Sequence, residues 1–91
     1  MAVHARLTAF LEEVHQRMLS ASAEETVFEL TDLSFMSSTC LSLLLRFLNG
    51  IAQLPAHDRY TVRFRTNPNL RWQIRMVAML HDYAADVVVI E

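Results

Sequence analysis

From Val3 to Met18 the apolar residues Val3, Leu7, Phe10, Leu11, Val14 and Met18 recur at spacings of four, three, one, three and four, laying one stripe along an α-helix. The small polar run Ser20 to Glu25 breaks this pattern. Val27, Phe28 and Leu30, with Glu29 between them, then read as a short strand, and Thr31-Asp32 turns the chain. Leu41, Leu44, Leu45 and Leu48 supply one face of a second helix and Leu43, Phe47 and Leu54 another, so it is expected to be largely buried. Asn49-Gly50 weakens its last turns, and Pro55 ends it before a loop over residues 56–59. From Tyr60 to Arg65 the alternation is strict. Val62 and Phe64 share one face and Thr61, Arg63 and Arg65 the other, the pattern of a strand covered by helices on one side only. Asn67-Pro68 reads as the cap and first position of a third helix that runs to about Tyr83. Residues 86–91, with four consecutive β-branched side chains from Val87 to Ile90, read as a closing strand.

Helices alternating with strands imply parallel pairing through right-handed crossovers. The expected fold is an α/β domain in two layers, helix-strand-helix-strand-helix-strand, with a parallel three-stranded core. Ninety-one residues make one such domain, and the 53% hydrophobic content suits a compact unit with some surplus for a partner surface. The net charge of -2 and the lack of clustered Lys and Arg give no footprint for nucleic acid. The most apolar window, Leu41 to Leu54, is too short for a bilayer and holds Arg46 and Asn49, and the N-terminus has no signal-peptide pattern; no membrane association is expected. A single cysteine cannot close an internal disulfide, and the four histidines lack the spacing of a zinc site. A reducing, cytoplasmic setting is expected, with no metal and no cofactor.

The chain from strand to helix reads Val27-Phe-Glu-Leu-Thr-Asp-Leu-Ser-Phe35-Met36-Ser37-Ser38-Thr39-Cys40-Leu41. It resembles the signature of the STAS domain, the sulfate-transporter and anti-sigma-factor-antagonist family: a V-x-D-L strand, a short turn, and F-[IM]-D-S-[ST]-G-L leading into a helix. Ser37 stands at the family Asp position and Cys40 at the family Gly position. The resemblance implies a regulatory interaction module in which Ser38 is the phosphoacceptor of a serine kinase that also acts as an anti-sigma factor, with a PP2C-type phosphatase resetting it. It further implies that Ser37, Thr39 and Cys40 shape the docking turn. It covers essentially all of the chain, which begins at the family's first helix, without the strands that precede it in the family. An unpaired sheet edge, open to cover by another chain, is the expected consequence.

The residues allow more than one reading of the turn. Ser-Ser-Thr before a leucine helix is an ordinary N-cap sequence, because a hydroxyl can accept from an unpaired first-turn N–H. The same position suits a switch, since phosphate adds roughly 1.5 to 2 negative charges that a helix N-terminus tolerates while a docked partner is repelled. Cys40 reads either as a thiol with thiolate character or as a small buried hydrophobe. Ser38 as a hydrolase nucleophile lacks a Gly-x-Ser-x-Gly elbow and an identifiable base, so no enzymatic activity is expected.

On a helical wheel of the third helix, Leu70, Ile74 and Val77 cluster on one side, while Trp72, Met76, Met79 and Tyr83 cluster almost opposite, flanked by Arg71 and Arg75. One stripe suffices for the core. The second, Trp72, Met76, Met79 and Tyr83, is either covered by the first helix or a loop, or serves a homodimer or a partner protein. Arg63, Arg65 and Glu29 suit cross-strand ion pairing or an anion site. His57 beside Asp58 and Arg59 reads as a solvated turn, and Glu12, Glu13 and Arg17 as the wet face of the first helix. Two other roles compete with a phosphorylated switch: a constitutive structural subunit, and a small-ligand sensor, for which no Gly-rich phosphate loop is present.

Overall fold

The structure, a computed structural model, describes residues 2–90. The elements follow in the expected order: α1 (Ala2–Ala21), β1 (Glu25–Glu29), α2 (Ser38–Ala52), β2 (Thr61–Arg65), α3 (Arg71–Tyr83) and β3 (Val88–Ile90). Glu91, at the end of the expected closing strand, lies outside the described residues, as does the side chain of Val3 in the α1 stripe.

The sheet is parallel throughout, in the order β1-β2-β3. Its register places Thr26, Val62 and Val88 in one row and Phe28, Phe64 and Ile90 in the next, so the apolar residues of three strands meet on one face. Val62 and Phe64 on the central strand are fully buried there. The intervening positions form an outer face of Glu25, Val27 and Glu29 beside Thr61, Arg63 and Arg65. On that face Arg63 forks onto Glu25, with Nε donating at 3.0 Å, and Arg65 meets Glu29 at 3.6 Å. These are cross-strand ion pairs, and the Arg63 hydrogen bond holds the Glu25 carboxyl below the usual carboxylate range.

A single core joins the three helices to the inner sheet face. Leu11 and Met18 come from α1, Leu44, Leu48 and Ile51 from α2, and Met76, Val77 and Leu80 from α3. Phe28 links this core to α1 through Phe10 at 6.1 Å, while stacking on Phe47 of α2 at 5.9 Å and meeting Phe64 edge-on at 5.6 Å. Tyr60, just before β2, is 1% exposed, and its hydroxyl lies 2.8 Å from His15 Nδ1. Burial pushes the Tyr60 phenol up to about 12, because the phenolate would lose its hydration there.

Several boundaries differ from the expected ones: β1 begins at Glu25, inside the expected polar break, β3 begins at Val88, and two helix ends are shifted. Residues 67–70 form a turn, with Leu70 N–H donating to the Asn67 carbonyl, and α3 starts at Arg71. The Asn67 side chain is committed elsewhere: its carbonyl oxygen accepts from Asn69 N–H at 2.9 Å and its amide donates to the Thr31 carbonyl at 3.2 Å. At the other boundary, α2 runs through Asn49-Gly50 to Ala52 and ends with Gln53 N–H donating to the Asn49 carbonyl. Fully buried Leu48 and Ile51 on either side of the pair hold these turns against the core.

Candidate functional site

The turn between β1 and α2 carries the serines. Ser37 is the N-cap of α2, with extended backbone (φ -72°, ψ 159°), and its hydroxyl accepts from Cys40 N–H at 3.2 Å. Its carbonyl takes the first helical bond, from Leu41 N–H at 3.0 Å. Capping therefore falls to Ser37 alone. Ser38 is the first helical residue and is exposed, as is Thr39 beside it. The Ser38 hydroxyl makes no hydrogen bond among the described residues, so it is open to an incoming reagent. Cys40 is half-buried, with its backbone N–H tied to Ser37, and it lines a groove below the turn together with Leu44.

The turn is held by residues from the far end of the sheet. Leu30 N–H donates to the Arg65 carbonyl, and Leu33 N–H closes the turn on the Leu30 carbonyl, both at 2.9 Å. Gln73, fully buried at the start of α3, donates its amide to the carbonyls of Leu30 and Leu33. Its own carbonyl oxygen accepts from Asn67 N–H at 2.8 Å. All polar atoms of this buried side chain are thus engaged, which offsets the cost of burying an amide. Sequence reasoning missed Gln73 because a lone glutamine on a helix carries no sign of burial; the signal available was its position midway between the two apolar stripes.

The same burial corrects the reading of α3. Its core face is Gln73, Met76, Val77 and Leu80, with Ala84 buried just past its end, so the helix is turned to bury the sector between the stripes. Met76, expected on an uncovered stripe, is a core residue at 7% exposure, and Ile74, from the opposite stripe, is 48% exposed. Trp72 packs against the core, and its indole N–H, itself out of solvent, has no acceptor among the described residues. Only Met79 and Tyr83 of the expected interface stand exposed. They lie on α3, and the serines lie at the start of α2.

A second cluster of exposed apolar side chains does adjoin the serine turn. Phe35 is 74% exposed, Phe10 52% and Val27 46%, with Leu33 also at the surface. Between α1, β1 and the turn runs an apolar groove of about 320 Å³, lined among others by Phe10, Phe28, Leu33, Met36 and Cys40. A wider groove of about 820 Å³ between α1 and α2 has a mixed lining that includes Glu12, His15, Arg46 and Phe47. Among the described residues no group of His, Cys, Asp and Glu is placed to hold a metal ion, and no helix is long and apolar enough to cross a membrane.

Comparison of this chain with protein-family profiles, with curated protein sequences and with solved structures yields no match.

Proposed function

We propose that this chain is a non-catalytic regulatory module that binds other proteins, of the kind the STAS resemblance implies, with Ser38 as a phosphorylated switch. The observation that carries the reading is the division of labour between two adjacent serines. Ser37 holds the helix start, and Ser38 is exposed on the first turn of α2 with no structural bond to lose. Phosphate there would sit at the positive end of the helix dipole, so the fold survives while the surface changes charge. The exposed Phe35 beside it is the residue type from which a docking surface draws energy. A serine kinase of the anti-sigma-factor type is the proposed partner, with a PP2C-type phosphatase resetting the site. Incubation with such a kinase and ATP is expected to add one phosphate, mapped by mass spectrometry to Ser38 and absent in Ser38→Ala. Labelling elsewhere, or none, removes the switch.

A constitutive structural subunit is the second reading, favoured by the open sheet edge and the apolar groove next to it. Under it, a partner is retained equally by the wild type and by Ser38→Asp.

A further inference from the structure

Beyond the Ser38 reading, and independently of it, the outer edge of β1 carries an interaction site of its own. Thr61 N–H donates to the Glu24 carbonyl and Leu30 N–H donates to the Arg65 carbonyl, so the even-numbered residues of this segment face β2. Strand backbones alternate, so the N–H and C=O groups of Glu25, Val27 and Glu29 point away from the sheet. Among the described residues no strand pairs with that edge. It is flanked by apolar surface: Val27 on the outer face, and on the helix side the groove walled by Phe10, Phe28 and Leu33. An open, apolar edge of this kind is a template for a further strand.

We propose that the strand is β1 of a second copy, paired antiparallel about a two-fold axis through Val27. On the outer face Glu25 and Glu29 flank Val27 symmetrically, so a two-fold pairing about Val27 brings the same apolar centre and the same acidic flanks together from both copies. In that register Val27 faces Val27 and Glu25 faces Glu29, and every outward N–H and C=O of the three residues finds a partner. On the helix side each Phe28 stands beside Thr26 of the other copy, extending the apolar cover next to Phe10. Opposed glutamates would repel if bare. Here each already carries an arginine of its own chain, Arg63 on Glu25 and Arg65 on Glu29, so the groups that meet are ion pairs. Those same arginines leave the edge without the charge that would select a basic strand from another protein.

The test uses the full chain in sedimentation equilibrium over a range of micromolar concentrations. A concentration-dependent dimer is expected for the wild type. Val27→Pro removes only an outward N–H and leaves the β1–β2 ladder intact, and it should raise the dissociation constant at least about tenfold. Val27→Lys, a side-chain change at an exposed site, should do the same without touching the backbone. Register is read by Val27→Cys in a Cys40→Ser background: opposed residues of an antiparallel pair lie about 5.5 Å apart at Cα, within disulfide reach. That variant should oxidise to a covalent dimer, and Val89→Cys on the other edge strand should not. A wild type monomeric throughout overturns the proposal and leaves a strand of another protein as the occupant. Dimerisation unaffected by both Val27 variants, or cross-linking through Val89 instead, overturns it equally.

Discussion

Gln73 and Leu33, forty residues apart, are joined by a hydrogen bond of 2.8 Å from the glutamine amide to the leucine carbonyl. The bond crosses from the first turn of α3 to the loop that delivers Ser37 and Ser38, and the same amide also holds Leu30. The position of the serine turn is therefore set by a helix that is distant in sequence.

Replacing Gln73 with methionine keeps the volume and removes every one of these bonds. The Leu33 carbonyl and the Asn67 N–H then lose their Gln73 partner, and the Leu30 carbonyl keeps only the Leu33 N–H. A loss of about 2–4 kcal/mol is expected in urea denaturation. Hydrogen exchange at the Leu33 amide should accelerate more than at the amides of β2. Equal acceleration everywhere would mean that Gln73 supports the core as a whole and not the turn.

Tyr60 predicts a loss of stability at alkaline pH. Its phenol is held at about 12 in the folded chain, above the ordinary value near 10 of an exposed tyrosine. Below pH 10 both states are protonated and the group contributes no pH dependence. Between pH 10 and about 12 the unfolded chain releases the proton while the folded chain keeps it, so stability falls as pH rises, by about 2–3 kcal/mol across the window. Tyr60→Phe should flatten this part of the profile, at the loss of the His15 hydrogen bond at neutral pH.

The adjacent serines should separate in thermal melts. Ser37→Ala removes the cap on α2 and is expected to cost about 1 kcal/mol. Ser38→Ala should change stability by less than about 0.5 kcal/mol. Ser38→Asp places a negative charge in the first turn and should leave the fold unharmed or stabilise it by up to about 1 kcal/mol. A Ser38→Asp chain that unfolds would contradict a switch acting on binding alone.

Two backbone positions can be exchanged with benefit. Ser22, just past the end of α1, has φ of +51°, a left-handed conformation that glycine adopts without the Cβ clash; Ser22→Gly should stabilise by up to about 1 kcal/mol. Gly50 lies within α2, and a Cβ built there meets nothing within 4 Å. Gly50→Ala should therefore gain about 0.5–1 kcal/mol in chemical denaturation.

The order of elements and the one covered face of the sheet are written locally, as is the set Arg63, Arg65 and Glu29 on its other face; the Arg63–Glu25 pair is not, because Glu25 ends a polar run that only the paired strand takes in. Period-two alternation at Thr61–Arg65 and leucine periodicity after Thr39 need no knowledge of distant contacts, because each reports which side of a backbone is dry. The placement of the serine turn before a helix is local for the same reason. The assignment of the cap to Ser37 is less so: three hydroxyl residues in a row can each cap, and backbone geometry selects one.

What tertiary structure decided is the rotation of α3 and the start of that helix. Two apolar stripes leave the buried sector of a helix undetermined, and hydrogen bonds to the Leu30 and Leu33 carbonyls place Gln73 at its centre, carrying Met76 inward and Ile74 outward. Asn67, a good cap by its chemistry, instead gives its side-chain amide to the Thr31 carbonyl and its backbone N–H to Gln73, while its side-chain oxygen accepts from Asn69 N–H. Local sequence specifies which residues avoid water and at what period. Which of two apolar faces is covered, and which polar group satisfies which carbonyl, depends on partners brought together by folding from thirty and more residues away.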